Sequence, residues 1–465
     1  MTTHQTVAQA TSAARLLGLL ARDLPPDRLT TDPAATAPYA TDRSGARTDG
    51  QPLAVVHARD TDEVRSVLRH ANELRVPVVP RGAGTGLSGG AAADEGSVVL
   101  DLSGMNRIAE LSPDDQLAVV EPGVVTADLD RAAAAHGLRY APDPASVAIS
   151  TVGGNIATNA GGLRCAKYGV TRDSVLGLTA VLADGTVVRT GRRTVKGVTG
   201  YDLTALLTGS EGTLAVITGA TVRLRPVPVA TATIAAYFDR VEDAAAASSA
   251  ITAARVEPAM CELLDGPVLA AIDAAQGTGL RARGAALLLV QCDGAGAPAE
   301  AERVAVVLGG RATSVEVAAD PAEAESLLAA RRLALPSLER IGRPLIEDIA
   351  VPRSRLAEAV RAVEAVSVRY DVPVFTLAHA ADGNLHPIIV VDPALPELPE
   401  AAWKAASEIF SVALRLGGTL TGEHGVGVLK RHWVAEELGA DNHALQQRLK
   451  TAFDPHHILN PGKAV

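Results

Sequence analysis

Apolar residues along this chain recur in two rhythms. Leu53-Ala54-Val55-Val56, Val76 to Val79, Ser97-Val98-Val99-Leu100 and Leu117-Ala118-Val119-Val120 are short continuous runs, as buried strands show. Between them the spacing turns helical, over Val64 to Leu74 and Val125 to His136. Asp60-Thr61-Asp62-Glu63 supplies an N-cap and first-turn acids to the first of these helices. A helix over Ala8 to Arg22 precedes them, followed by a Pro- and Thr-rich stretch ending at Gly50. Leu178 to Leu182 and Thr186 to Arg189 flank Ala183-Asp184-Gly185 and predict a hairpin. Pro226 and Pro228, just after Thr221-Val222-Arg223-Leu224, mark a boundary. Beyond it, strands alternate with Ala-rich helices (Ala244 to Arg255, Ala299 to Leu308, Ser354 to Ser367), an α+β pattern. The tail reads as a helix, a Gly-rich turn from Gly417 to Gly427, another helix and a Pro/Gly stop. The expected division is an N-terminal helical segment over 1–47, an α/β domain over 48–228, an α+β domain over 229–400 and a C-terminal segment over 401–465.

Glycine interrupts this pattern in three places. Pro80 to Gly90 reads P-R-G-A-G-T-G-L-S-G-G, in which Gly84, Gly86 and Gly89 satisfy G-x-G-x-x-G. A Rossmann fingerprint needs a helix opening directly from the motif. Here Ala91 to Gly96 leads instead to another apolar run, and a crossover helix needs about a dozen residues or more. The loop is therefore a phosphate cradle without that helix. T-V-G-G-N-I-A-T-N-A-G-G from Thr151 to Gly162, with Pro142-Asp143-Pro144-Ala145-Ser146 ahead of it, and Thr208 to Leu214 are of the same kind. Loops so rich in Gly, Asn, Ser and Thr offer backbone N–H nests and small hydroxyls to a pyrophosphate and a ribityl chain.

Composition narrows the classes. A chain of 465 residues exceeds one ordinary core, so about two or three domains are expected. Aromatic residues make up only 3%, which leaves Ala, Val and Leu to fill the interior. The net charge of −10 excludes a broad nucleic-acid surface but not a local site for an anionic substrate. Three cysteines, Cys165, Cys261 and Cys292, form neither a disulfide framework nor a zinc knuckle and fit a reducing compartment. No basic segment with a signal-peptide core opens the chain, and Leu16 to Leu20 is too short for a span. The expectation is a cytoplasmic protein, with peripheral contact at the inner membrane face left open.

A second site lies in the α+β part. Val374 to His379 and Leu385 to Val390 are apolar runs joined by Ala380-Ala381-Asp382-Gly383-Asn384. With Asp382-Gly383 as a two-residue turn, 379 pairs with 386 and the histidines stand opposite, Cβ atoms about 5 Å apart. They grip one metal ion or simply share a polar hairpin face. Gly422-Glu423-His424-Gly425 offers a third ligand on a tight turn, and His379, His386 and Glu423 make a His₂-carboxylate set with an open position.

The order of P-R-G-A-G-T-G-L-S-G-G, E-P-G-V, P-D-P-A-S, G-G-N-I-A-T-N-A-G-G and T-G-S-E-G-T-L-A-V-I-T resembles the FAD domain of the vanillyl-alcohol-oxidase (PCMH-type) flavoproteins. From about residue 40 to 465 the chain is similar to their D-2-hydroxyacid branch, which includes the glycolate oxidase catalytic subunit, FAD-linked D-lactate dehydrogenases and D-2-hydroxyglutarate dehydrogenase. The resemblance implies an α+β protein: a PCMH-type FAD-binding domain of two α/β subdomains, an α+β (ferredoxin-like) substrate domain and a helical C-terminal cap. It implies that Pro80, Arg81, Gly82, Ala83, Gly84, Thr85, Gly86, Leu87, Ser88 and Gly89 wrap the pyrophosphate. Pro142, Ser146, Gly153, Gly154, Ile156, Asn159, Ala160, Gly161, Gly162, Glu211, Gly212 and Ile217 would line the adenosine and isoalloxazine. Asn460 and Lys463, in a C-terminal signature, would return the tail over the flavin. Several relatives attach FAD covalently through a His in the first loop; none stands between Pro80 and Gly90, so the FAD is expected to be noncovalent.

In that family pattern His379, His386 and Glu423 are the ligands of a divalent metal, zinc before manganese or iron. His424 is the implied general base and Arg331 the implied partner of the substrate carboxylate, with Arg332 as fallback. Asn384 either orients the site or forms the turn. The chain departs from D-2-hydroxyglutarate dehydrogenases at Leu328, Leu335, Ile346 and Ile388, where those enzymes place an aromatic and polar groups. The expected partner is thus a small 2-hydroxy acid, lactate- or glycolate-like, with the electron acceptor open and a homodimer or an oxidase-complex subunit as the assembly. Three rivals are weaker. A nicotinamide dehydrogenase lacks its helix, a non-catalytic subunit would need no metal set, and an alkyl-transfer flavoenzyme expects a phosphate-directed His cluster.

Overall fold

The structure, a computed structural model, describes residues 3–46, 48, 50–395 and 397–465, and the side chains from residue 11 onward. Contacts divide the chain into two units. One comprises the residues to Gly162, Gly169–Val227 and Glu423–Val465; the other comprises Leu163–Tyr168 and Pro228–Gly422. The expected C-terminal segment is thereby shared, its helix Glu400–Arg415 falling in the second unit.

Two larger sheets, with a two-stranded pair of Leu138–Arg139 and Arg225–Pro226, build the described part of the first unit. The four-stranded one runs Leu29–Thr30, Ala54–His57, Val98–Asp101, Val78–Arg81. Its last three strands are parallel, with Val99 opposite both Val55 and Val79. These runs are buried on both faces, as parallel strands are. Val56, Val78 and Leu100 pack under Leu16 and Leu20 of the helix Thr3–Asp23 and under Val64, Val67 and Leu68 of the helix Thr61–Leu74. The Asp60 side chain caps the latter helix by accepting from the Glu63 N–H. Residues 82–97 contain no helix, so the glycine loop itself makes the crossover between two parallel neighbours.

The five-stranded sheet is antiparallel and runs Ile108–Ser112, Leu117–Val120, Val216–Arg223, Val175–Val181, Val187–Gly191. The predicted hairpin is there, with Val181 opposite Val187. One expectation fails. The tract from Thr151, read as a loop, forms the helix Val152–Thr158, with the Thr151 hydroxyl accepting from the Gly154 N–H. The glycine at 153 serves packing: a Cβ there would lie 2.4 Å from Pro122 Cβ. Among the described tail residues the second expected helix is two, Arg431–Leu438 and Ala440–Phe453, separated at Gly439 with φ 73.

The second unit is one antiparallel sheet in the order Ser314–Val317, Thr231–Phe238, Ala286–Asp293, Met260–Asp265, Val374–His379, Asn384–Val391, Arg343–Ile346, with Ile349–Ala350 also on Asn384–Val391. The first four strands, with the helices Val241–Ala253 and Ala297–Gly309, form a βαββαβ unit in which the fourth, first, third and second strands lie side by side. This is the expected ferredoxin-like arrangement, extended by the histidine hairpin. One sheet face packs Leu264, Leu377, Ile388 and Val390 against the helices Gly266–Gln276 and Pro321–Glu339. Segment Leu163–Tyr168 joins this unit through Asp293, whose carboxylate accepts from Lys167 Nζ and from the Tyr168 hydroxyl at 2.6 Å. Among the described residues no helix is long and apolar enough to cross a membrane.

Candidate functional site

In the first unit, absent side chains do the positioning. A Cβ on Gly82 would lie 2.4 Å from the Thr151 hydroxyl, and one on Gly212 (φ +72) 3.0 Å from Pro80. One on Gly161 would lie 2.2 Å from a Glu423 carboxylate oxygen, and one on Gly427 (φ +52) 2.0 Å from the Ser88 carbonyl. The three glycine loops and the E-H-G-V-G turn therefore meet through bare backbone.

Several residues expected on the cofactor hold this assembly together. Ser88 donates its hydroxyl to the Gly425 carbonyl at 2.8 Å. The Glu211 carboxylate accepts from the backbone N–H groups of Val426 at 2.7 Å and Gly427 at 2.8 Å. Burial pushes the Glu211 carboxyl above its ordinary range, against the pull of those two donors. Asn460 donates to the carbonyls of Glu211 at 2.7 Å and Gly90 at 2.9 Å. Arg81 braces its own loop, donating to the carbonyls of Thr41 and Ala91 at 2.8 and 2.9 Å over the Tyr39 ring. Ile156 is wholly buried in the core of the five-stranded half. The fit to an elongated, hydroxyl-bearing cofactor rests on the bare-backbone cradle and on Asn460 Oδ1, a buried acceptor with no donor from the described chain. The turn that Glu211 and Ser88 secure carries Glu423 and His424, with His424 Nε2 3.8 Å from Glu423 Oε1.

In the second unit, buried charges do the positioning. The hairpin register corrects the expectation. His379 pairs with Asn384 and His386 with Leu377, because residues 380–383 form a four-residue loop in which the His379 carbonyl accepts from the N–H groups of Asp382 and Gly383. The shift is by two, so the histidines keep one face as diagonal neighbours. Their rings are 5.1 Å apart and nearly perpendicular, and both side chains are buried.

Each histidine faces a carboxylate at its Nδ1. Glu262 Oε1 is 2.6 Å from His379 Nδ1, and Asp348 Oδ1 is 3.7 Å from His386 Nδ1. Both carboxylates are completely buried. Arg331 Nε donates to the other Glu262 oxygen at 2.6 Å. Burial would raise the Glu262 carboxyl, but His379 and Arg331 outweigh it and hold the group below its ordinary range. Asp348 accepts from the Asn384 amide and the Thr421 hydroxyl, each at 2.8 Å. Asn384 gives its other amide hydrogen to the Ile349 carbonyl, so it orients Asp348 rather than merely forming a turn. A Cβ on Gly422 would lie 2.2 Å from the Asn384 amide, so the backbone just before Glu423 runs against this cluster.

Sequence reasoning missed Glu262 and Asp348. Glu262 stands as a charge inside an apolar strand run, M-C-E-L-L, and Asp348 follows Glu347 in the break between two apolar strands, L-I-E-D-I, where a buried acid survives only with partners. Leu335, Ile346 and Ile388 join the apolar cluster on the sheet face that also bears Glu262, His379 and His386. Two imidazoles on one face, each with a carboxylate at Nδ1, are the donor chemistry of a divalent metal site.

Comparison with known proteins matches a family model to each part of the chain. The model for FAD-linked oxidases, C-terminal domain, matches residues 227–464, and that for a FAD-binding domain matches residues 52–191. The glycolate oxidase subunit GlcD of Bacillus subtilis is 45% identical over 89% of this chain and 88% of its own length. A D-lactate dehydrogenase of Archaeoglobus fulgidus is 37% identical over 88% of this chain and 91% of its own. A solved p-cresol methylhydroxylase with substrate bound superposes at TM-score 0.81 over 97% of this chain and 96% of that one, at 20% identity. The PCMH-type fold expected from the sequence is the fold observed.

Proposed function

The chain belongs to the FAD-linked oxidases, with FAD as its cofactor, and from that premise we propose that it oxidises a D-2-hydroxy acid, lactate- or glycolate-like, to the 2-oxo acid. The observation that carries this reading is the buried pair His379 and His386 on one sheet face with Arg331 held beside them through Glu262.

When bound, FAD supplies a hydride acceptor and a divalent cation supplies Lewis acidity to the substrate oxygens. His379, His386 and Glu423 would hold the cation, zinc before manganese or iron, since two neutral imidazoles and one carboxylate leave an open position. Arg331 uses Nε on Glu262 and keeps its two Nη groups for the substrate carboxylate, whose two oxygens match the guanidinium edge. His424, next to Glu423 on the turn fixed by Glu211, takes the hydroxyl proton. The apolar wall of Leu335, Ile346 and Ile388 disfavours a second carboxylate and supports a short side chain on the acid. Without a histidine in the first loop, FAD is held noncovalently, so acid or heat should release all yellow colour from the chain. The name of the similar glycolate oxidase subunit supports reading this chain as one subunit of an oxidase complex. A chain with three cysteines, Cys165, Cys261 and Cys292, at unrelated spacings fits the reducing cytoplasm.

Anaerobic bleaching of the flavin by a panel of D- and L-2-hydroxy acids, before and after chelator treatment, tests the reading. D-lactate or glycolate should bleach it and the chelator should abolish bleaching. If no 2-hydroxy acid bleaches the flavin, the proposed activity is wrong. If bleaching survives removal of all metal, the ligand assignment alone is wrong.

A further inference from the structure

Glu262 touches both His379 on the sheet face and Arg331. It lies in the strand Met260–Asp265, wholly buried, and is the direct cross-strand partner of His379. Arg331 reaches it from the helix Pro321–Glu339. Its two oxygens are divided, Oε1 at 2.6 Å from His379 Nδ1 and Oε2 accepting from Arg331 Nε at 2.6 Å. A buried carboxylate with a separate partner on each oxygen holds both partners in place, and losing it would leave buried polar groups unanswered.

We propose that Glu262 is a positioning residue that sets His379 as a metal ligand and Arg331 as the substrate-carboxylate clamp through one shared side chain. This rests on the function proposed above. An imidazole that gives its Nδ1 hydrogen to a carboxylate carries its lone pair on Nε2, the tautomer a metal needs, and is a stronger donor for it. The same carboxylate fixes the plane of the Arg331 guanidinium by its Nε edge and so sets where the Nη edge points. Neither effect survives removal of the carboxylate. Glutamine at 262 replaces one of the two acceptor oxygens with an NH2 donor, so it cannot offer a separate oxygen to each partner, and aspartate is one methylene too short to reach both. The two halves of substrate recognition, the cation and the carboxylate clamp, are thereby linked through a residue that touches neither substrate nor cofactor.

The test uses the full-length, FAD-loaded protein. After chelator stripping, Mn(II) binding is measured by electron paramagnetic resonance for the wild type, Glu262→Gln and Arg331→Ala, alongside melting temperature, FAD content and KM for D-lactate. Glu262→Gln should weaken Mn(II) binding roughly 10- to 100-fold and also raise KM, with FAD content unchanged. Arg331→Ala should raise KM and leave Mn(II) binding within about twofold, because it leaves the His379 bond in place. Wild-type Mn(II) affinity in Glu262→Gln overturns the proposal. A wild type that binds no metal instead refutes the metal reading above. If the variant fails to fold, nitrogen NMR of labelled histidines in the metal-free wild type decides. A hydrogen on Nδ1 of His379 supports the proposal, and an Nε2-only hydrogen overturns it.

Discussion

The glycine-loop unit and the sheet unit build function in opposite ways. In the first, Gly82, Gly161, Gly212 and Gly427 matter for the side chains they lack, and the polar residues among them (Ser88, Glu211, Asn460) bond backbone to backbone. In the second, Glu262, Asp348, His379, His386 and Arg331 matter for the charges and donors they bring into an apolar interior. A backbone cradle is a steric device and fails when a methyl is added. A buried polar cluster is an electrostatic device and fails when a partner is taken away. The difference separates the expected defects: shape changes should cost cofactor and stability, and charge changes should cost turnover while the flavin stays.

The largest effect should come from the electrostatic side. His386→Ala removes one proposed ligand and leaves Asp348 with Asn384 and Thr421. Turnover should fall on the order of 10²- to 10³-fold, the scale of losing one preorganised electrostatic element, with FAD content unchanged by absorbance. If the flavin is lost in parallel with turnover, the two devices are not separable. The next effect should come from the steric side. Gly427→Ala forces a methyl to within 2.0 Å of the Ser88 carbonyl at φ +52. The cost should be about 1–3 kcal/mol of stability, seen as a lower melting temperature and a reduced FAD content. A Gly427→Ala protein with full flavin and an unchanged melting temperature would remove the steric reading of that turn.

The same contrast explains what could be read from the sequence. A backbone cradle advertises itself locally, since glycine at Gly82 to Gly90 and at Gly161 and Gly162 stands out in composition. Even there, the helix Val152–Thr158 escaped notice, because Gly153 is needed for close approach to Pro122 inside a helix that Thr151 caps. The histidines could be found as a pair, but their register could not. The turn between them is four residues long, and only parity kept them on one face. Glu262 and Asp348 act through partners 117 and 38 positions away, so no local spacing pointed to them. Their one visible sign was an acid amid apolar runs.

The strand that carries Glu262 offers the smallest and cleanest probe of the electrostatic device, because Asp265 lies three residues on, also buried, on the opposite face. Glu262 is held low by a guanidinium and an imidazole; Asp265 is met instead by neutral donors, the backbone N–H groups of Val268 at 2.8 Å and Thr376 at 2.6 Å and the Thr376 side chain. Burial therefore wins at Asp265 and raises its carboxyl to about 7. In the unfolded chain the same group titrates near 3.9. The folded state thus holds the proton more tightly, so the stability this group contributes is complete below about pH 4 and is lost as pH rises toward its folded value. Asp265→Asn removes the titration while keeping one acceptor for the cap of the helix Gly266–Gln276. Between pH 5 and pH 8 the wild-type melting temperature should fall by a few degrees more than that of Asp265→Asn, roughly the size one raised carboxyl can exert in a domain of this size. Parallel melting curves across that range would mean that neutral hydrogen-bond donors suffice to keep a buried carboxylate charged, and that Glu262 does not need its cations.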